Sequence, residues 1–315
     1  IMVGSIKRTA PIIKKTKKIL FVTANLNSGG AQRSLVNLVG AIKGRVKFEI
    51  AVAGNSTASY FYQELKRYGI KVFRSADSKD AFDHTEALVQ KICSDNIGTV
   101  CFWNLDPKIK LLLVKTLHFT KVCFIDVSPG NNSFDEMDSI VEFRQLIGFN
   151  RSDYYKRLGK LVLKYRGAHP FECEGKTVVI PNGVPRSSKI KSDYSISNDR
   201  PRILVNRRIA PTKFILEIIE ATRLVWDQVP RAEIHIFGGA EPRHKEYAEK
   251  VLELIKDETG KRVFFHGPDF NLASRLSDFD VYVVLGKDQG CPNALLEALA
   301  AGLPAIANND GGTSE

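Results

Sequence analysis

The chain has 315 residues, 43% of them hydrophobic and 26% charged, which is length for about two domains and a composition that excludes fibrous and disordered classes. No apolar run approaches the ~20 residues that cross a bilayer, and the start lacks a secretion-signal pattern, so a cytoplasmic protein is expected. Five cysteines without a CxxC pair and six scattered histidines argue against a disulfide framework and a zinc site, and no protein-bound metal is expected.

The net charge of +11 is unevenly spread. Lys7, Arg8, Lys14, Lys15, Lys17 and Lys18 face no acid in the first twenty residues, and 1–17 reads as a basic lead or tag. Residues 18–24 then form an apolar strand, and Gly29-Gly30 opens a helix over 31–42. A strand running into a Gly-rich turn and a helix lets a phosphate approach the backbone.

Strands at 47–53, 71–73, 99–103 and 121–125 alternate with helices at 58–68, 81–94 and 108–117. Such alternation, with nearly continuous apolar strands that place Cys101 and Cys123 in the core, predicts a parallel, doubly wound α/β sheet. Ligands of these sheets sit at the carboxyl ends of strands, which singles out Asn104, Asp106, Asp126, Ser128 and Gly130. Asp126 reads either as a chemical carboxylate or as the cap of a helix beginning near Phe134.

Residues 139–166 read as one or two basic helices, with Lys156, Arg157, Lys160, Lys164 and Arg166 interleaved with Leu158, Leu161, Val162 and Leu163. This pattern suits an anionic membrane surface, at the inner face of the membrane, or a solvated helix face. No nucleic-acid-binding motif accompanies the basic charge, and no nucleic-acid partner is expected. A strand over 176–180 stops at Pro181 and turns through Gly183, a residue that tolerates positive φ. The polar stretch 185–200 reads as a linker.

The second half repeats the scheme. A strand at 202–205 leads through loop 206–213 to a helix at 214–225. Strands at 232–237 and 262–266 end in Gly238-Gly239 and Gly267, with a helix at 242–255 between them. A short helix at 271–277 and a strand at 281–285 follow. Next come a Gly-containing turn, a helix with Pro292 at its first position, Gly302 as its stop, and a strand over 303–307. Free N–H groups around Cys291 to Ala294, a stretch that holds Pro292 and Asn293, make a place for a phosphate. Glu297 lies four positions beyond Asn293, on the same helix face. It can meet a ribose hydroxyl there, or simply favour the helix dipole.

Gln289-Gly290-Cys291-Pro292, four residues, then Glu297-Ala298 resembles the donor-binding signature of the retaining, family 4 GT-B glycosyltransferases, which starts Glu-Gly-Phe-Pro and reaches a second Glu-Ala. Gly29-Gly30-Ala31-Gln32-Arg33 is similar to the family's Gly-Gly-Ala-Glu-Arg. Arg208, Pro211 and Lys213 fall in register with its Arg-Leu and Pro-x-Lys-Gly, although Arg207 and Phe214 stand where the family has small residues. Ile-Pro-Asn-Gly-Val at 180–184 resembles the stretch that ends its first domain. The resemblance implies that Glu297 holds the nucleotide ribose, that Gln289, here uncharged, meets the donor sugar, and that Arg208 and Lys213 neutralise the departing diphosphate. Gly29, Gly30, Asn182, Gly238 and Gly290 would border the donor. His266 would lie near base or ribose, or in a surface loop. Asp126 stands where many members carry an active-site histidine, and 139–166 departs from a family strand leading to Val-Ser.

The resemblance thus implies an α/β GT-B fold of two Rossmann-like doubly wound domains facing a cleft, at 18–184 and 201–315 with linker 185–200. The second domain would be cut short at Glu315. It implies a glycosyltransferase that moves a sugar from a nucleotide-diphosphate sugar, with retention, onto a glycan or lipid-linked acceptor in polysaccharide or cell-envelope synthesis, without a protein-bound cofactor. Gln289 and the missing end leave open an impaired, scaffolding relative. A nicotinamide enzyme is disfavoured because the first turn lacks GxGxxG and no acid closes strand 47–53. A nucleotide-sugar epimerase shares the two-domain plan, but Arg208, Lys213 and Glu297 together favour transfer.

Overall fold

The computed structural model describes residues 17–27, 29–54, 59–128, 139–166, 175–195, 200–240, 242–287 and 289–315; the basic lead, Lys17 apart, and Gly130 lie outside them. The chain divides into two units, Ile1–Asn182 and Gly183–Glu315.

In the first unit, seven strands pair in parallel in the order β3-β2-β1-β4-β5-β6-β7. They are β1 Ile19–Thr23, β2 Phe48–Val52, β3 Val72–Arg74, β4 Thr99–Trp103, β5 Cys123–Ser128, β6 Leu158–Leu163 and β7 Thr177–Val179. Apolar side chains fill both faces of β1 and β4 because helices cover both sides of a parallel sheet. Helix Pro107–Thr116 buries Ile109, Leu111, Leu112, Leu113 and Val114 against this core. Its start is capped by Asp106, whose carboxylate accepts from Lys108 N at 2.7 Å. Asp106, singled out as a strand-end residue, therefore has a capping role.

Two expectations are corrected here. The carboxyl end of β5 lies three residues later than read, at Ser128, so Asp126 falls inside the strand and is 2% exposed. Residues 158–163, read as the apolar part of a basic helix, are β6, which pairs with β5 and β7. The helices actually present in this region are Val141–Ile147 and Arg151–Arg157. The spacing of Leu158, Leu161 and Val162 suits either element; the register with β5 decides, burying Leu158, Leu161, Val162 and Leu163 in the sheet. Lys160 is exposed, whereas Lys164 is buried with its ammonium 4.9 Å from the Trp103 ring. The basic run therefore presents no continuous amphipathic helix. Two smaller readings also change: Cys101 is buried but Cys123 is exposed, and Gly183 does not take a positive φ.

The second unit holds a five-stranded parallel sheet, ordered β10-β9-β8-β11-β12. Its strands are β8 Arg202–Asn206, β9 Glu233–Phe237, β10 Val263–Gly267, β11 Val281–Val284 and β12 Ala305–Ala307. One face packs on helices Ile215–Trp226 and Lys245–Leu254 through Ile215, Ile218, Ile219, Trp226, Ala248 and Val251. The other packs on helix Asn293–Ala300 through Leu295 and Ala298, joined by Leu272, Leu276 and Phe279.

Part of the stretch read as linker lies along this unit. Lys191 N donates to the Ala301 carbonyl at 2.8 Å and the Tyr194 hydroxyl to that of Gly302 at 2.9 Å. Lys189 and Lys191 pair with Asp278 and Asp280. Gly302, at φ +72, ends the helix as expected of a left-handed glycine stop.

Candidate functional site

The order of strands in the second sheet reverses between β8 and β11, all remaining parallel, and helices leave those strands on opposite faces. Loops at the carboxyl ends of such a pair part to form the ligand crevice of a doubly wound sheet. Here they are the loop from Asn206 to Lys213 and the loop from Leu285 to Pro292.

Backbone contacts lock the two loops to each other. Lys287 N donates to the Thr212 carbonyl at 3.0 Å. Asn308, after β12, holds Gly286 from both sides, accepting from its N–H and donating to its carbonyl, each at 2.9 Å. A Cβ at Gly286 would lie 2.7 Å from the Thr212 oxygen and 3.1 Å from Arg207 Nη1, so the close approach of the loops requires glycine there. The Pro211–Lys213 turn puts Lys213 next to this junction, and Phe214 takes a left-handed φ of +52 to start the next helix.

Arg207 lies at the centre of the crossing. Its backbone N–H donates to the Phe237 carbonyl at 2.8 Å, and Gly238, at φ +149, passes so close that any Cβ would strike the Arg207 carbonyl. Its guanidinium donates to the Leu285 carbonyl through Nη1 and to Gln289 Oε1 through Nη2. Burial lowers the guanidinium pKa; Arg208 beside it acts in the same sense, while Tyr282 and Asp310 oppose both. An arginine remains protonated nonetheless.

Gln289 is 5% exposed. Its side-chain oxygen accepts from Arg207 and its Nε2 donates to the Lys287 carbonyl at 2.6 Å. Its backbone N–H donates to Asp310 Oδ1 at 2.7 Å, and its carbonyl accepts from Gly312 N at 3.1 Å. Gly311, at φ +54, comes near enough that a Cβ would collide with the same carbonyl. The glycine pair thus holds the Gln289-Gly290 turn in place.

Helix Asn293–Ala300 follows with Pro292 as its N-cap residue, one position earlier than expected. Proline has no side chain able to accept from the first turn, so that end keeps the positive pole of the helix. Cys291 and Ala294 are half-buried and Asn293 is buried. Glu297 is half-buried on the following turn. The Tyr282 phenol, fully buried and with its pKa pushed up by that burial, feels both Arg207 and Glu297. The arginine from the β8 loop and the glutamate of the later helix therefore both act electrostatically on one phenol. Arg208 is exposed and Lys213 half-exposed on the same loop.

His266 stands apart from this group, at the end of β10, two strands from β8. Its ring stacks on Phe237 at 4.3 Å, and its Nε2 lies 3.0 Å from His235 Nδ1. Gly238 N donates to the Gly267 carbonyl at 2.9 Å, linking the two strand ends.

The remaining expected residues lie in the first unit. Gly29 is the N-cap of helix Gly30–Ile42, in extended backbone at φ −177. Gln32 braces that turn by donating to Asn25 Oδ1 at 3.0 Å, and the Trp103 indole donates to the Ala31 carbonyl at 2.8 Å. Asn182 accepts from the Ser34 hydroxyl at 2.6 Å. Asp126 accepts from Lys110 Nζ at 2.9 and 3.2 Å and from the Tyr154 hydroxyl at 2.7 Å. Ser128 closes β5.

Sequence reading registered Arg207 only as a departure and passed over Asp310 and Asn308. A signal for the last two was present in Asn-Asn-Asp-Gly-Gly, a turn-rich run closing a strand. Among the described residues no group of three or more His, Cys, Asp or Glu is placed to hold a metal ion, and no helix is long and apolar enough to cross a membrane.

Residues 187–315 match the family described as glycosyl transferases group 1. N-acetyl-alpha-D-glucosaminyl L-malate synthase of Bacillus anthracis is 25% identical over 129 residues, 41% of this chain and 32% of that protein. The match therefore spans about a third of that relative's length. Among solved structures, Anabaena Alr3699/HepE in complex with UDP and glucose is similar at a TM-score of 0.74 and 15% identity, over 95% of this chain and 82% of that one. S. aureus TarM, in complex with fondaparinux, alpha-GlcNAc-glycerol and UDP, is similar at 0.67 and 12%, over 94% and 86%. These are GT-B glycosyltransferases, and the two parallel sheets described above share their fold.

Proposed function

We propose that this chain, a GT-B protein whose residues 187–315 match the group 1 glycosyl transferases, moves a sugar from a nucleotide-diphosphate sugar to an acceptor hydroxyl with retention of configuration. The observation that carries the reading is the junction of the β8 and β11 loops. It sets Arg208, Lys213 and the uncapped start of helix Asn293–Ala300 around the strand reversal of the second unit, with Glu297 one turn further along. Two cations and a helix N-terminus suit a diphosphate, and Glu297 can accept from ribose hydroxyls. The UDP complexes of the similar structures support a nucleotide donor.

In this reading the bond from the anomeric carbon to the diphosphate breaks with its electron pair leaving on the diphosphate. The acceptor oxygen bonds to the same face of that carbon, and its proton passes to a departing phosphate oxygen. Arg208 and Lys213 stabilise the charge that grows on the leaving group. Gly29, Gly30 and Asn182 belong to the first unit's part in ligand binding, and the acceptor is a glycan or lipid-linked hydroxyl of polysaccharide or envelope synthesis. Asp126, committed to Lys110 and Tyr154, is assigned to the core and not to the chemistry.

The test is calorimetric titration of the purified chain with UDP, GDP and their common sugars, followed by a transfer assay on any donor that binds. Absence of binding to every nucleoside diphosphate sinks the proposal. One observation favours a second reading, a binding or scaffolding module: Gln289 has no charge and both ends of its amide are taken by the protein. Donor binding without transfer or hydrolysis, across acceptors, selects that reading.

A further inference from the structure

Arg207 is a permanent cation in a half-buried place, and among the described residues its hydrogen-bond partners are neutral: the Leu285 carbonyl and the Gln289 amide oxygen. The described carboxylate that acts on it electrostatically, Asp310, already accepts from the backbone N–H groups of Gln289 and Thr313. Holding a charge away from water without a counter-ion is costly, and partnering with neutral oxygens compensates only part of that cost. Two more cations follow on the same loop, Arg208 and Lys213. Meanwhile the Gln289 side chain is held by the protein, Oε1 accepting from Arg207 and Nε2 donating to the Lys287 carbonyl. What the β8 loop brings to this corner is the positive charge of Arg207, Arg208 and Lys213.

Resting on the reading that the donor binds at the junction of the β8 and β11 loops, we infer that Arg207 is a specificity-determining residue, and that the sugar it selects carries a carboxylate, as in a nucleotide-linked uronic acid. A guanidinium matches a carboxylate in planarity and spacing, and the charge-assisted bond is roughly twice as strong as one to a sugar hydroxyl. The backbone is built around this side chain: Gly238 allows the Arg207 carbonyl its position and Gly286 leaves room for Nη1.

The experiment is calorimetry on the whole chain with matched pairs, UDP-glucose against UDP-glucuronate and GDP-mannose against GDP-mannuronate, with UDP and GDP alone as references. The acidic member of a pair is expected to bind about tenfold or more tightly than the neutral one. Arg207→Met is expected to remove that ratio while the bare diphosphate keeps its affinity. Because loss of Arg207 could unsettle the loops, Gln289→Glu provides a second arm: it gives the guanidinium an internal carboxylate of nearly unchanged shape and is expected to abolish the ratio too. Equal affinity for the two members, or preference for the neutral one, with UDP or GDP still bound, overturns this inference alone. So does an Arg207→Met variant that weakens the bare diphosphate as much as the sugar acid, which would assign Arg207 to the phosphates. A chain that binds neither diphosphate overturns the donor reading and this inference with it.

Discussion

Lys110 and Asp126 form an ion pair inside the first unit, Nζ to Oδ1 at 2.9 Å, with side chains 2% and 3% exposed. The Tyr154 hydroxyl donates to the other carboxylate oxygen at 2.7 Å, so the aspartate is supplied with donors at both oxygens while Cys101 nearby has its thiol pKa pushed up to about 12, chiefly by burial. Removing one partner leaves the other's charge buried alone, which typically costs about 3–5 kcal/mol. Asp126→Asn is expected to lower the denaturant midpoint accordingly, and the double change Lys110→Met with Asp126→Leu to cost less than the single one. Unchanged stability in Asp126→Asn, with lost turnover, would return the residue to the chemistry.

The same pair shows where sequence reading reaches its limit. An aspartate in Cys-Phe-Ile-Asp-Val-Ser looks like the end of a strand because a lone carboxylate does not belong in a core, and its partner sits sixteen residues earlier on a helix. Only the packing of that helix on the sheet brings Lys110 to it. The ambiguity at 158–163 is similar, since leucines three and four apart satisfy a helix, and pairing with both β5 and β7 is a long-range fact. Gln289 and Arg207 are separated by 82 positions, so their interaction could be read only as two isolated departures from a motif. The parallel sheets were legible, because burial on both faces writes itself into each strand as a continuous apolar run. The loops at the strand reversal were legible for a related reason: close backbone approach demands glycine at 238, 286 and 311, and a helix start demands its own signals.

Glu297 offers a direct check on the donor assignment. A carboxylate that accepts from ribose hydroxyls contributes about 1.5–3 kcal/mol as a charged hydrogen-bond partner. Glu297→Ala is expected to weaken UDP or GDP by roughly ten- to a hundredfold while leaving the thermal midpoint of the free chain nearly in place. Titration of ribose- and 2′-deoxyribose nucleotides would separate the two roles, since the substitution should narrow the difference between them. A carboxylate that only complements the helix dipole would leave that difference unchanged.

Gly311 tests the turn that carries Gln289. Its φ of +54 is a left-handed conformation, and a Cβ would meet the Gln289 carbonyl oxygen. Gly311→Ala therefore combines backbone strain of about 1–3 kcal/mol with displacement of the 289–290 turn. A drop of several degrees in the thermal midpoint is expected, together with weaker donor binding. Gly69→Ala makes a useful control, because it is equally left-handed at φ +69 but a Cβ there meets nothing within 4 Å; it should lower stability without touching donor affinity.

The paired histidines of the second unit predict a pH dependence whose sign can be worked out. Burial lowers the pKa of His235, with Arg202 and His266 adding to the effect and Glu233 opposing it. Burial also lowers His266, with Arg275 and Arg202 acting in the same direction and Asp269 opposing. Both rings therefore bind protons more readily in the unfolded chain than in the folded one. As pH falls below the unfolded histidine value of about 6.5, the unfolded state gains protons first and stability is lost, until the folded rings protonate as well. Above that value the two contribute no slope. The steepest loss from the buried His235 alone is about 1.4 kcal/mol per pH unit. Denaturant melts of the chain between pH 5 and 8 are expected to show this decline. His235→Phe, which keeps the stack on Phe264 and His266, is expected to flatten it. An unaltered slope in that variant would show that His235 does not carry the decline and leave it to His266.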